Sequence, residues 1–270
     1  MVDRSRPGHY NATLLEKRDL SERYFLMILS RPPDLADPGP GSFIHLLVPG
    51  EKRFFLRRPF SVLDCDESTL TLIIVEKGAG TRIMRRLPVG ENLDFIGPLG
   101  SSFPELPGKR VLAVGGGVGL APLYYYHRLM SATRDTDLYR LLYGARTRTD
   151  LFIGNFDWSI ENVDFSTDDG TYGFSGNVVQ LAEREIERSQ VDVIFSCGPT
   201  PMLKSVAALA RTKRITHHVS LENRMACGMG ACRSCVVPVR IDSTACHRTV
   251  CKDGPVFNAD DLVWEELPEI

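Results

Sequence analysis

The chain has no excess of either charge: 34 acidic against 32 basic side chains leave a formal net charge of -2. Such a balance gives no electrostatic footprint for nucleic acid or an anionic membrane surface. Long apolar runs are missing too; none approaches the roughly eighteen residues of a membrane-spanning helix. Met1 to Tyr10 is polar and lacks the apolar core of a signal peptide. The expected location is therefore the cytoplasm, with no nucleic-acid or membrane partner. Asn11-Ala12-Thr13 has the form of a glycosylation sequon, read here as chance without a secretory route. Internal repeats and low-complexity segments are absent. Seven cysteines, an odd number, do not make a disulfide framework.

What is present is ordinary in bulk and specific in detail. Hydrophobic residues make up 43% and charged residues 24% of 270, the composition of a globular protein with room for two or three domains. Phe43–Val48 and Leu70–Val75 read as strands, separated by glycine- and proline-rich turns such as Pro38-Gly39-Pro40-Gly41 and Gly97-Pro98-Leu99-Gly100. Short strands with frequent turns predict a barrel or sandwich over residues 1–105. After Pro107-Gly108 the pattern alternates. Strands are predicted at Val111–Val114, Leu138–Tyr143 and Val191–Phe195, and helices at Pro122–Met130, Val178–Arg188 and Pro201–Thr212. This predicts an α/β domain with a parallel sheet over 106–216. From His218 the chain turns cysteine-rich and is expected to be irregular, giving a small third domain over 217–270.

Five of the seven cysteines lie between Cys227 and Cys251. Cys227-Gly228-Met229-Gly230-Ala231-Cys232-Arg233-Ser234-Cys235 followed by Cys251 is C-x4-C-x2-C with a distal cysteine, the plant-type [2Fe-2S] spacing. Two irons bridged by two sulfides need four thiolates from a tightly wrapped loop. Gly228 and Gly230 supply backbone angles closed to other residues, and inward N–H groups tune the potential. A zinc site also takes four cysteines, but usually as two C-x2-4-C knuckles; here three sit in one compact loop. Cys246 competes with Cys251 as fourth ligand, and spacing alone does not choose. The loser is a small packing residue.

Gly115-Gly116-Gly117-Val118-Gly119 follows a buried strand and opens a helix. Small residues there let a pyrophosphate reach the helix N-terminus, although the run is not G-x-G-x-x-G and also suits a tight turn without ligand. Cys197-Gly198-Pro199 ends another strand of the same sheet, so both turns fall at the carboxyl edge where α/β ligands bind. Gly115, Gly117, Gly119, Cys197 and Gly198 are the candidate NAD residues; Cys197 fits equally a buried packing role. Arg57-Arg58-Pro59-Phe60-Ser61 offers an arginine fork and a hydroxyl, or simply a solvated basic pair. Gly78-Ala79-Gly80-Thr81 is a second anion-compatible loop.

In this order the pieces resemble the ferredoxin-reductase superfamily, which implies a flavin-binding antiparallel β-barrel followed by a pyridine-nucleotide domain. More narrowly the chain resembles the electron-transfer subunits of NAD-dependent dihydroorotate dehydrogenases. The resemblance is densest at Leu221–Cys232, Cys235-Val236-Val237 and Val250–Phe257; the last stretch implies Cys251 as fourth ligand beside Cys227, Cys232 and Cys235. It also implies that Arg58, Pro59, Phe60 and Ser61, with Ile73, Ile74, Val75, Gly80 and Thr81, bind FAD. The family usually carries a tyrosine and a basic residue where this chain has Ile74 and Val75, so backbone contacts are expected there. The implied activity is oxidoreductase electron relay between NAD(H) and the FMN of a separate catalytic subunit, through FAD and the cluster, in pyrimidine biosynthesis. That subunit would oxidise dihydroorotate to orotate, in a heterotetramer of two of each. No acid–base catalyst is required of this chain.

Two other readings compete. One is the flavin and iron–sulfur subunit of an electron-bifurcating NADH-dependent ferredoxin:NADP oxidoreductase; the other is a zinc-binding, non-enzymatic module. Nucleotide choice has opposing signals. Asp168 and Asp169 would accept from a ribose 2′-hydroxyl, whereas Arg146 and Arg148 would favour a 2′-phosphate. The resemblance selects NADH.

Overall fold

The computed structural model describes residues 7–50, 54–131, 138–152, 162–242 and 244–268. Its N-terminal part is a closed six-stranded antiparallel barrel: β1 (Gly8–Asp19), β2 (Tyr24–Ser30), β3 (Phe43–Leu46), β4 (Arg58–Cys65), β5 (Thr69–Val75) and β6 (Asn92–Leu99). Spatial order is β1-β2-β5-β4-β3-β6, with β6 returning to β1. Period-two alternation fills it. Leu70, Leu72 and Ile74 of β5 meet Phe25, Met27 and Leu29 of β2 in one core, while Ile73 faces the next domain. Helix α1 (Ala79–Arg86) plugs the barrel with Met84, which is fully buried.

The second unit is a seven-stranded sheet in the order β10-β9-β8-β7-β11-β12-β15. Its strands are β7 (Val111–Gly116), β8 (Tyr139–Ala145), β9 (Val163–Thr167), β10 (Phe174–Ser175), β11 (Val193–Cys197), β12 (Thr216–Ser220) and β15 (Val256–Asn258). All pair in parallel except β15, which runs antiparallel along β12. Helix α2 (Leu120–Ser131) packs on one face, α3 (Val178–Arg188) and α4 (Thr200–Lys213) on the other. Asn177 caps α3, accepting from the Val179 and Gln180 N–H groups.

The sequence pattern misses β9, β10, β12 and β15, and the Gly78–Thr81 segment read as a loop is the start of α1. The segment after His218 is also more regular than expected. It forms a hairpin, β13 (Val236–Ile241) with β14 (Thr244–Thr249), before β15. Thr244-Ala245-Cys246-His247-Arg248-Thr249 is polar and mostly exposed, so no hydrophobic alternation announces it. A third core, with Val237, Val239, Val250, Phe257 and Trp264, seats this segment against Leu203 of α4 and Phe43 of β3. The barrel and the sheet therefore share a floor.

Candidate active site: two clefts and a cysteine loop

A cleft of about 410 Å³ opens between barrel, sheet and cysteine segment. Arg58, Pro59, Phe60, Ser61, Ile73, Val75, Gly80 and Thr81 all line it. Ile74 is the exception: it is 1% exposed and points into the barrel core. Only its backbone faces outward chemistry, as alternation along β5 requires. The two adjacent arginines have separate tasks. Arg57 forms an ion pair with Asp94 at 2.6 Å, whereas Arg58 turns to the cleft. The Arg58 guanidinium lies against the start of α1; a Cβ on Gly80 would stand 3.8 Å from its Nε. That helix has no acidic residue in its first turn. Thr81 Oγ1 instead accepts from the backbone N–H groups of Lys77 and Gly78, at 3.1 and 3.2 Å. A guanidinium beside a helix N-terminus is a pyrophosphate seat. Phe43, Phe60, Ile73, Val118 and Leu221 give the apolar wall a flat ring needs. The residues fit a flavin dinucleotide.

A second cleft, about 160 Å³, holds Gly117, Gly119 and Gly198 together with Arg23, Lys77 and Arg146. Gly115 lies behind it, packed under Leu123. The two glycine turns touch: a Cβ on Gly119 would collide with the Cys197 carbonyl. Cys197 is buried and lines the first cleft, so it stands where the two clefts meet. Burial, then the Glu222 carboxylate, pushes its thiol up to about 12. It stays protonated and is no nucleophile. Leu267 and Pro268 close the second cleft from the chain's other end. Arg146 lines it, while Arg148 stacks on Tyr172 at 5.5 Å. The Asp169 carboxylate accepts from the Thr171 N–H and hydroxyl, which hold it below the usual carboxylate range. Its acceptor capacity is turned to its own loop.

The cysteine loop begins where the first cleft ends. Leu221, Glu222, Asn223 and Met225 line the cleft, and Cys227 follows two residues later. Asn223 holds the segment down by donating to Val236 O at 3.1 Å. Gly228 and Gly230 have φ of +73° and +84°, the left-handed turn that wraps the loop. Inward N–H groups donate to sulfur: Gly230 to Cys251 Sγ at 3.1 Å, Cys232 to Cys227 Sγ at 3.4 Å and Met229 to Cys227 Sγ at 3.5 Å. Ser234 and then Cys227 hydrogen-bond the exposed Cys232, holding its thiol down to about 6. Burial first, then its neighbour Cys235, pushes Cys251 up to about 12. Cys232 is thus tied to Cys227, and Cys251 to Gly230 and Cys235, around one loop. Among the described residues no three His, Cys, Asp or Glu side chains converge on a single-ion site. Three of the four candidate cysteines lie in one compact loop with the plant-type spacing, whereas zinc usually takes two C-x2-4-C knuckles. Cys246 stands opposite Val239, three pairs along the hairpin from Val236–Thr249, roughly 10 Å from the loop at the usual strand rise.

Sequence reasoning missed Lys77, Glu222, Asn223, Met225 and Pro255 as cleft residues. The signal for the middle three was present, since they abut the cysteine motif.

Residues 222–263 match the family model described as the iron–sulfur cluster binding domain of dihydroorotate dehydrogenase B. A relative from Caldanaerobacter subterraneus subsp. tengcongensis is 38% identical over 227 residues, 84% of this chain and 88% of its own. One from Geobacillus thermodenitrificans is 35% identical over 261 residues, 95% of this chain and 99% of its own. Both are named dihydroorotate dehydrogenase B (NAD(+)), electron transfer subunit. The chain belongs to this family. Dihydroorotate dehydrogenase B electron transfer subunits are therefore the frame in which its clefts and loop are to be understood. A solved NADH-dependent reduced ferredoxin-NADP oxidoreductase, studied for flavin-based electron bifurcation, superimposes with a TM-score of 0.81 at 25% identity, over 95% of this chain and 91% of that one. A ferredoxin reductase of carbazole 1,9a-dioxygenase shares the fold, with a TM-score of 0.65 at 22% identity over 77% of this chain and 67% of its own.

Proposed function

We propose that the chain relays electrons between NAD(H) and the FMN of a separate dihydroorotate-oxidising subunit, as two copies of each in a heterotetramer. One observation carries this reading: a single segment, Ser220 to Met225, lines the first cleft and runs directly into the loop of Cys227, Cys232 and Cys235. When bound, FAD would accept one hydride, an electron pair, and a [2Fe-2S] cluster would carry electrons singly; the protein's part is to place them. Arg58 and the start of α1, with Gly80 and Thr81, hold the pyrophosphate. Pro59, Phe60, Ser61, Ile73 and Val75, with the Ile74 backbone, hold the ring. Gly115, Gly117, Gly119, Cys197 and Gly198 would shape the seat for the nucleotide, with Cys197 at the side facing the first cleft. Cys227, Cys232, Cys235 and Cys251 hold the cluster, and exposed Met229 marks the face offered to the partner.

NADH is the preferred nucleotide, on the name its relatives carry. Arg146 is the residue to watch against it. The three segments 1–105, 106–216 and 217–270 act as flavin, nucleotide and cluster modules, with β15 lending the last of them to the sheet of the second. No helix among the described residues is long and apolar enough to cross a membrane. All seven cysteines are unpaired, which suits a reducing cytoplasm.

The test is anaerobic purification with iron, acid-labile sulfide and flavin analysis, then NADH-driven bleaching of the visible spectrum. One FAD and one cluster per chain are expected, with dihydroorotate oxidation on adding an FMN subunit. Stoichiometric zinc without sulfide would refute the reading. The likeness to the bifurcating oxidoreductase favours one second reading, a different partner with the same cofactors. Reduction of ferredoxin:NADP partners, with no rate on dihydroorotate, would select it.

A further inference from the structure

His45 lies on β3, whose neighbouring residues Ile44 and Leu46 fill the barrel. Alternation turns His45 outward, yet it is 0% exposed, because the cysteine loop covers it. Its strand partners are Pro59 of β4, which lines the first cleft, and Ile96 of β6. Across from it, a Cβ on Gly228 would collide with His45 Nδ1. The imidazole thus lies between strand β4 at Pro59 and the loop backbone at Gly228, next to Cys227. An apolar residue would fill such a place without a polar group to satisfy. Neither ring nitrogen has a well-aligned hydrogen-bond partner, which is costly at a fully buried imidazole. Acceptors in reach are the backbone groups of Cys227, on the loop, and Arg57, on the turn. Nδ1 is the nitrogen that faces the loop.

We propose that His45 is a positioning residue that sets the spacing between flavin and cluster, its Nδ1–H tying the backbone at Cys227 to strand β3. The chain of contacts from the first cleft to the first ligand sulfur is then Pro59, His45, Cys227. This rests on the assignment of FAD and a [2Fe-2S] cluster made above. Gly228 is part of the same device. Its positive φ and the space taken by the ring both exclude a side chain, so ring and loop are fitted to each other.

The experiment compares His45→Leu, His45→Asn and His45→Gln in the full chain purified anaerobically. Asn places an amide N–H near the Nδ1 position, and Gln near Nε2. Readouts are iron, sulfide and FAD content, the cluster's midpoint potential and EPR signal, and the stopped-flow rate of cluster reduction after NADH mixing. His45→Leu should slow cluster reduction about tenfold and change the EPR signal, His45→Asn should restore both to within about twofold, and His45→Gln should not. If His45→Leu sheds iron, retention in His45→Asn with loss in His45→Gln supports the same role. A wild-type rate and spectrum in His45→Leu overturns it. So does rescue by Gln rather than Asn, or equal iron loss in all three. Wild-type protein without FAD or labile sulfide would instead sink the cofactor assignment itself, before any variant is compared.

Discussion

The cysteine loop and the flavin-sized cleft are neighbours built by opposite means. The loop is local: three of its four sulfurs come from nine consecutive residues, and backbone N–H groups of the same stretch bond them. The cleft is assembled from β4, β5, the start of α1, the turn at Cys197 and the segment before Cys227. A local site tolerates no change in its own few residues; from outside the stretch it draws on Cys251 and on the contact of His45 with Gly228. An assembled site loses affinity by degrees when any wall moves. The contrast can be broken by experiment.

The largest effect is expected in the loop. Cys251→Ser should abolish the cluster, read as loss of visible absorbance and of labile sulfide, because serine is a poor thiolate substitute at iron. Cys246→Ser should keep the cluster and cost about 1 kcal/mol or less in unfolding free energy. Cluster loss confined to Cys246→Ser would show that the hairpin rearranges on loading. In the cleft the effect should be graded. Arg58→Ala should weaken FAD binding roughly 10- to 100-fold, the worth of a charge-assisted contact. Arg57→Ala, which loses the Asp94 pair, should leave flavin affinity within about threefold while lowering stability; flavin release measured by fluorescence separates the two. Equal loss in both would mean that the arginines act as a fork after all. Gly119→Ala forces a methyl group onto the Cys197 carbonyl and should cost about 1–3 kcal/mol of stability. It should also raise KM for NADH with FAD and iron content unchanged.

A smaller effect tests the scaffold that both sites share. Burial holds the His127 imidazole down at about 4 and that of His217 down at about 3. An unfolded histidine titrates near 6.5, so between those values the unfolded chain binds more protons than the folded one. Stability should be full above about pH 6.5 and fall as pH drops through that window. Each histidine should contribute a loss of at most about 2 kcal/mol at pH 5. Urea titrations at pH 7.5 and 5.0 measure it, and His127→Gln should remove its share. An identical midpoint at both values would show that the pair is solvated in the folded state.

The same contrast governs what was legible in the sequence. Loop chemistry is written in spacing, because Cys227, Cys232 and Cys235 fall within nine consecutive residues. The alternating α/β pattern was plain, whereas only two of the six barrel strands, at Phe43 and Leu70, stood out as apolar runs. Glu222 and Met225 were harder. Nothing in their own neighbourhood says that β4 and α1 lie opposite, a fact supplied only by the closing of the barrel. Ile74 shows the limit from the other side. The resemblance marks its position, but alternation turns its side chain into the core. The hairpin strand Thr244–Thr249 was hidden because its partner and not its own hydrophobicity makes it a strand. Asp168 and Asp169 looked like ribose ligands by composition, and a two-residue turn to Thr171 gives Asp169 a partner of its own.

The outermost strand of the nucleotide sheet, β15, comes from the stretch just beyond Cys251. Until that stretch is seated, β12 presents a bare row of N–H and C=O groups, the kind of edge that recruits other chains. Seating it draws on the same few residues that bring Cys251 to Gly230. One short stretch, Cys251 to Asn258, thereby serves both the cysteine loop and the edge of the sheet. A substitution that unseats this stretch would therefore bare the β12 edge as well as disturb the loop.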